Sequence, residues 1–332
     1  MLRTLDARHD RYRLKAPFRI SRGVKTDADV VTVTIAQGDH VGRGEGVPYA
    51  RYGESIDDAL AAIAGVRPLI EDGGDRAALA AAMPASAARN AVDNALWDLE
   101  AKLAGRSVAK LAGLPEPLAI PSAITIGLDT PDAMASAAAR VADVPLLKVK
   151  VDARDPRSQI AAVRDVAPTP RLIVDPNESW TIDTIAALHD FLIAARVDLL
   201  EQPLPAGEDA ALADFATPLS ICADESLHTA RELEGLVGRY SHVNIKLDKT
   251  GGLTEALVLA RAARARGFGL MVGCMVASSL GIVPAMALAG DAEFVDLDGP
   301  LWLAADRTGG VTDVAGMLHP ARKGFWGDGV GG

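Results

Sequence analysis

Leu146-Leu147-Lys148-Val149-Lys150-Val151-Asp152 reads as a buried β-strand that carries two lysines on one face. Side chains alternate across a strand, so Lys148 and Lys150 project together while Leu147, Val149 and Val151 face the other way. At a rise of about 3.3 Å per residue the two ammonium groups come within about 6.6 Å, a repulsion of about 2.5 kcal/mol at an effective dielectric near 20. A cost of that size predicts one lysine with a lowered pKa, a base usable near neutral pH. The plainer alternative is an exposed edge strand that uses Lys to discourage strand association.

The surrounding pattern decides for the buried strand. After Pro117 short apolar strands alternate with helical stretches of roughly ten to fifteen residues. Strands are expected near Ser122 to Ile126, Leu146 to Val151, Arg171 to Asp175, Val197 to Glu201, Leu219 to Ala223, His242 to Lys246, Gly269 to Val272 and Phe294 to Leu297. Such repeated βα units predict an α/β fold, a parallel (β/α) TIM-type barrel rather than an open sheet. The texture before that is different. Val30 to Ile35 is rich in β-formers, Gly38-Asp39 is a turn signal, and Val41 to Val47 returns as the next strand. Ser55 caps a helix from Ile56 to Ile70, and Ser86 caps an alanine-rich helix through Ala104 that Gly105 ends. The chain is therefore expected to divide into an N-terminal α+β capping domain over 1–115, completed by 300–332, and a barrel over 116–299. Its tail, with Trp302, Phe325, Trp326 and a glycine-rich end, returns to pack on the first module.

Composition narrows the functions available. With 332 residues and 49% apolar side chains the chain buries a large core, and a net charge of -10 with interspersed signs argues against nucleic acid and anionic membranes. Cys222 and Cys274 have no metal-type spacing, which fits a reducing cytoplasm. Met1 to Lys15 is charged and holds no apolar leader segment. From Gly267 to Gly290 there is no charged residue, but Gly269, Gly273, Gly281, Pro284 and Gly290 argue for strand, loop and helix rather than a membrane span.

In a barrel of this kind chemistry sits at the carboxyl ends of the strands. Asp175, Glu201, Asp224 and Lys246 lie at four consecutive predicted strand ends, 26, 23 and 22 residues apart. An acid at a strand end is often only the cap of the next helix. Three that converge repel one another unless a cation stands among them, and an all-oxygen ligand set points to Mg²⁺, with Mn²⁺ or Ca²⁺ as alternatives. Lys150 precedes the first acid and Lys246 follows the third, so the two amines flank the metal. One removes a proton α to a carboxylate and the other returns it on the opposite face, with Lys148 as a fixed charge beside the enolate. The competing reading of Lys246 is a surface lysine near Lys249.

Lys148-Val149-Lys150, Asp175-Pro176-Asn177-Glu178, Glu201-Gln202-Pro203, Asp224-Glu225-Ser226 and Lys246-Leu247-Asp248-Lys249-Thr250-Gly251-Gly252 together resemble the muconate-lactonizing subgroup of the enolase superfamily. The match runs over nearly the whole chain. It implies one Mg²⁺ per subunit on Asp175, Glu201 and Asp224, Lys150 and Lys246 as the acid/base pair, and Lys148 as an electrostatic helper. Asp296-Leu297-Asp298 resembles the Asp-x-Asp signature of dipeptide epimerases, where it would bind the substrate's α-ammonium. Gly273-Cys274-Met275 and Asp298-Gly299-Pro300 are similar to the Ala-Glu members.

The resemblance thus implies an isomerase: an Mg²⁺-dependent epimerase that inverts the α-carbon of the C-terminal residue of a dipeptide such as L-Ala-L/D-Glu by two-base 1,1-proton transfer, suited to cell-wall peptide recycling. An N-acylamino acid racemase or o-succinylbenzoate synthase of the same subgroup is the alternative, although neither substrate offers the ammonium that paired aspartates would hold. A Schiff-base aldolase would need one buried lysine but no acid trio, and a catalytically silent binding module would not need the full charged set. For the substrate side chain the candidates are Arg19, Arg22, Lys25 and Arg51 beside Tyr52. Arg22 is preferred because a guanidinium fork suits a carboxylate. Thr125, near the first barrel strand end, is a further substrate contact or an ordinary β-former. The expected partner is a small dipeptide, in a cytoplasmic protein compatible with a homo-oligomer.

Overall fold

The structure, a computed structural model, describes residues 3–329; Met1, Leu2 and the last three residues of the glycine-rich end lie outside the described residues. Three strands, β1 (Arg3–Ile20), β2 (Gly23–Gln37) and β3 (His40–Gly46), form an antiparallel meander in the order β1-β2-β3. Val31, Val33 and Ile35 turn one face of β2 onto helices α1 (Ile56–Glu71) and α3 (Ala87–Ala104). The helix starts follow the sequence: Ser55 Oγ accepts from Asp58 N and Ser86 Oγ accepts from Arg89 N, while Gly105 ends α3 at φ 60°. A short helix α2 (Arg76–Ala82), capped by Asp75, was not expected.

Helix α3 lies directly on β3. A Cβ on Gly42, Gly44 or Gly46 would stand 2.1 Å from the carbonyl oxygen of Ala95, Ala91 or Ala87 respectively. Glycine at every second strand position thus meets alanine at every fourth helix position, and the two backbones come into contact.

The second half is an eight-stranded parallel sheet rolled nearly into a barrel. After β4 (Ile120–Pro121) come β5 (Ile124–Ile126), β6 (Leu146–Lys150), β7 (Arg171–Asp175), β8 (Leu199–Glu201), β9 (Ile221–Ala223), β10 (His242–Lys246), β11 (Gly269–Gly273) and β12 (Phe294–Asp296). Strands β5 to β12 are hydrogen-bonded in chain order, and Ala123 N donates to Val295 O at 2.8 Å, which draws the last strand to the first. Each expected barrel strand is present.

The helices follow the expectation less closely. Pro131–Ala139, Pro156–Val166, Ile182–Ala194 and Leu253–Ala265 are full helices. After β8 only a 3-10 turn forms (Ala210–Asp214), after β9 only Leu233–Leu236, and after β11 only Ser279–Ile282 and Met286–Ala289. Pro203, Pro205 and Gly207, then Gly235 and Gly238, then Gly281, Pro284 and Gly290 interrupt these stretches, where backbone donors are missing or left-handed turns are favoured. Gly267 to Gly290 is therefore strand and short helices, and among the described residues no helix is long and apolar enough to cross a membrane.

The tail adds β13 (Thr312–Val314) and β14 (Met317–His319), and β14 pairs with β4 in a small antiparallel sheet. Beyond it Trp326 Nε1 donates to the carbonyls of Arg43 and Asn94, and Gly327 N donates to Asp98, which ties the tail to β3 and α3.

Candidate active site

The barrel interior is layered by the two-residue period of its strands. Its floor is apolar: Ala123, Leu146, Ile173, Leu199, Cys222, Met271 and Phe294 pack together. Two and four residues further along β6, on the same face as Leu146, stand Lys148 and Lys150. The layer above the floor is therefore charged, and it opens into a cavity of about 480 Å³ beneath the β1–β2 loop.

Lys148 Nζ lies 2.7 Å from Glu201 Oε2, 2.7 Å from Asp296 Oδ2 and 3.1 Å from Asp175 Oδ2. Lys150 Nζ donates to Asp175 Oδ2 at 2.5 Å, and Lys246 Nζ donates to Asp224 Oδ2 at 2.6 Å. Strands β6 and β10 are four places apart in an eight-stranded barrel, so Lys150 and Lys246 stand on opposite walls. The four groups expected at strand ends, Asp175, Glu201, Asp224 and Lys246, are buried, as are Lys148 and Lys150.

One expectation is corrected. The lysine pair was to depress an amine's pKa, yet Lys148 is held well above its ordinary value: burial lowers it, but Asp296, Glu201 and Asp175 outweigh that. Opposite charges at contact distance dominate a like charge further along the strand. Lys246 is likewise raised: burial lowers it, but Asp224 and Glu201 together outweigh that. The surface alternative for Lys246 does not hold, since it is 7% exposed, and its neighbour Lys249 is buried as well. Lys249 is 2% exposed, and its ammonium donates to Asp224 Oδ1 at 2.6 Å, Asp224 O at 2.5 Å and Asn244 O at 3.0 Å.

The acids are held unequally. Asp175 sits at about 2: burial raises it, but Lys150 and Lys148 pull it lower. Glu201 is pushed up to about 7 by complete burial and by Asp175. Asn244 Nδ2 donates to Glu201 Oε1 at 2.8 Å, whereas Glu201 Oε2 faces the Lys148 ammonium at 2.7 Å. Asn244 itself has room because a Cβ on Gly273 would stand 2.6 Å from its side chain. As the side chains stand, drawn onto their lysines, no group of three His, Cys, Asp or Glu among the described residues is arranged to hold a metal. Three buried carboxylates that form an all-oxygen set nevertheless fit a hard divalent cation.

Asp296 and Asp298 flank the same cavity. Asp298 Oδ2 accepts from Thr125 N at 2.8 Å, which places Thr125 beside it, and the Asp298 carboxyl is raised to about 6 by burial and by Asp296. Asp296 Oδ1 is buried without a donor. An acceptor in that position calls for an incoming N–H or ammonium.

The capping loops close the cavity from above. Arg22 reaches it, but its guanidinium is already taken: it donates to Glu225 Oε1 at 2.6 Å, Glu178 Oε2 at 3.0 Å and Tyr49 Oη at 3.2 Å. Arg51 donates to both oxygens of Glu178. Arg19 lies instead on a neighbouring depression with Thr130 and Arg154. Sequence reasoning gave no role to Asn244, Lys249, Glu178 or Glu225; the first shares the inward face of β10 with Lys246, a signal open to the two-residue period.

The match to known families covers the chain in two parts: residues 2–113 match the mandelate racemase/muconate lactonizing enzyme N-terminal domain, and residues 132–325 match the enolase C-terminal domain-like family. The L-Ala-D/L-Glu epimerase of Escherichia coli (strain K12) is 47% identical over 320 residues, 96% of this chain and 100% of that protein. The N-acetyl-D-glutamate racemase of a Pseudoalteromonas species is 44% identical, over 90% of this chain and 95% of its own length. A crystal structure of an enolase family member from Agrobacterium tumefaciens, with bound sodium and L-Ala-L-Glu, superposes with a TM-score of 0.95 at 48% identity, covering 98% of this chain and 100% of that one. A dipeptide epimerase from Enterococcus faecalis complexed with Mg and L-Leu-L-Tyr superposes at 0.89 with 28% identity, covering 100% and 99%.

Proposed function

The chain belongs to the mandelate racemase/muconate lactonizing enzyme family of the enolase superfamily, and on that footing we propose that it is an Mg²⁺-dependent dipeptide epimerase of the L-Ala-D/L-Glu type, an isomerase that inverts the α-carbon of the C-terminal residue. In this reading the 1–115 module, with the 300–332 return, caps the 116–299 barrel. Asp175, Glu201 and Asp224 would hold the ion, which when bound supplies positive charge to a substrate carboxylate and so acidifies the neighbouring C–H. Lys150 and Lys246, on facing walls, share the proton work: one amine takes the α-proton and the other ammonium delivers a proton to the opposite face, so the product differs only in configuration. Lys148 adds a fixed charge beside the developing anion.

Asp296 carries the choice of a dipeptide. Its Oδ1 is buried without a donor beside Asp298 and Thr125, and a free α-ammonium is the group that would complete it. The relative that racemizes N-acetyl-D-glutamate supports the alternative, an N-acylated amino acid, but such a substrate brings no cation. Both cysteines are free thiols, which supports a cytoplasmic enzyme. The test is deuterium uptake from D₂O into L-Ala-L-Glu, followed with and without EDTA and repeated with N-acetyl-glutamate. Uptake into the dipeptide that EDTA stops and Mg²⁺ restores is expected. Uptake into the N-acyl substrate alone would replace the reading with the racemase.

A further inference from the structure

Glu45, on β3 of the capping module, is fully buried, and the proton transfer makes no use of it. Its carboxylate is spent on other parts of the chain. Oε1 accepts from Ser278 N at 2.8 Å, and Oε2 accepts from Ser278 Oγ and from Arg307 Nη2 at 2.9 Å. Arg307, from the tail, also donates to Ser278 Oγ at 2.8 Å and to Thr32 Oγ1 at 2.7 Å. One buried carboxylate thus joins the cap, the barrel and the tail.

Ser278 ends the irregular segment that follows β11. Cys274, Met275 and Val276 of that segment line the active-site cavity, and Ser278 then caps the helix Ser279–Ile282 by accepting from Leu280 N. Backbone outside a ladder is held only by what its polar groups bond, and a buried carboxylate is a strong acceptor. Between the cavity wall and Ser278 the backbone lies against Gly299: a Cβ there would stand 2.6 Å from Met275 O and 3.1 Å from Ala277 N. Gly299 directly follows Asp298. Asp296 is fixed by the β11–β12 ladder, opposite Gly273, but Asp298 lies past its last rung and relies on Thr125 N and on the packing of its neighbour Gly299.

We propose that Glu45 is a positioning residue for the ammonium pocket: by gripping Ser278 it seats the 275–277 backbone against Gly299, and so sets where the Asp298 carboxylate meets the substrate's α-ammonium. The assignment rests on the dipeptide-epimerase reading and deepens it. Glu45 touches no substrate atom; it acts through the segment that it holds. An ammonium remote from the reacting carbon is bound equally in ground and transition states, so a displaced Asp298 appears in KM more than in kcat.

The test sets L-Ala-L-Glu against N-propionyl-L-glutamate, the same molecule without the ammonium. It reads the ratio of the inhibition constant of the second to the KM of the first, a measure of the preference for the ammonium. A merely structural loss weakens both ligands together and leaves the ratio alone. In Glu45→Ala the ratio falls about 5- to 20-fold, part of the value of a charge-assisted hydrogen bond, with the change carried by KM. Glu45→Gln, which keeps an acceptor for Ser278 N, retains more of the ratio, and Ser278→Ala lowers it less than Glu45→Ala; these two carry the test where Glu45→Ala fails to fold. In an Asp298→Asn background Glu45→Ala produces no further fall, because both act on one carboxylate. A ratio unmoved in the folded variants, or a full further fall in the Asp298→Asn background, overturns the positioning role and leaves the epimerase standing. A wild type that exchanges no L-Ala-L-Glu overturns both.

Discussion

Lys249 Nζ lies 2.6 Å from Asp224 Oδ1, and both side chains are 1% exposed. Lys246 holds the other oxygen of the same carboxylate at 2.6 Å. Asp224 is thus clamped between two ammonium groups, and its carboxyl lies well below the ordinary carboxylate range because Lys246 and Lys249 overcome its burial.

Removing one member of a buried pair leaves the other uncompensated, at a cost of about 3–5 kcal/mol. Asp224 keeps Lys246 on its other oxygen, so Lys249→Met is expected to lose less than that, about 1–3 kcal/mol, in urea unfolding with EDTA present. A loss below about 1 kcal/mol would mean that the pair is a surface-like contact.

The facing walls of the barrel make a stereochemical prediction. Lys150→Ala and Lys246→Ala each lose epimerisation by about 10²- to 10⁴-fold. Each variant keeps one amine, so residual deuterium uptake is confined to one diastereomer of the dipeptide, and the two variants keep opposite ones. Nuclear magnetic resonance of L-Ala-L-Glu and L-Ala-D-Glu in D₂O reads both. The same diastereomer surviving in both variants would put the amines on one side of the substrate.

The contact of α3 with β3 is tested by a glycine pair. A Cβ on Gly44 would stand 2.1 Å from Ala91 O, whereas one on Gly65, inside α1, meets nothing within 4 Å. Gly44→Ala is expected to destabilise by about 3 kcal/mol or more, since backbone must separate from backbone. Gly65→Ala is expected to stabilise by about 0.5–1 kcal/mol through helix propensity. Equal midpoints for the two variants in thermal melts would dispose of the close-contact account.

At the closed end of the barrel, His242 packs edge-on to Phe294 at 5.6 Å, and Arg171 stacks on that ring at 4.2 Å. Burial lowers the His242 pKa below 6.5, with Arg264 and Arg171 adding to it against Glu293. The unfolded chain therefore takes up this proton first. The associated stability is fully present above about pH 6.5 and declines as pH falls from there toward the folded pKa. In His242→Gln the melting-temperature difference between pH 7.5 and pH 5.5 should narrow. A difference unchanged or widened would show that the imidazole is not responsible.

Much of this architecture could be read before any coordinates. The barrel strands are short runs of apolar and β-branched residues, each ending near an ionisable group, and both features are local. The helices after β8, β9 and β11 shrank to single turns because proline and glycine interrupt them, a signal present in the chain but outweighed in the reading by the regular strand spacing. Lys249 had no role in the sequence reading because it lies past the strand end, whereas the one-turn helix Leu247–Thr250 carries it back to Asp224. Nothing local shows that Arg22 is occupied, since the acid that takes it lies 203 residues further on.

The sequence by itself determined which residues face the barrel interior and in what order the acids and amines follow one another, because strand periodicity and the burial of apolar side chains act between near neighbours. Only the tertiary structure decided how those charges pair: Lys148 among three carboxylates, Asp224 between two lysines, Arg22 on Glu225. Electrostatic energy depends on distance through space and on exclusion of water, and both are set when strands distant along the chain close into one sheet.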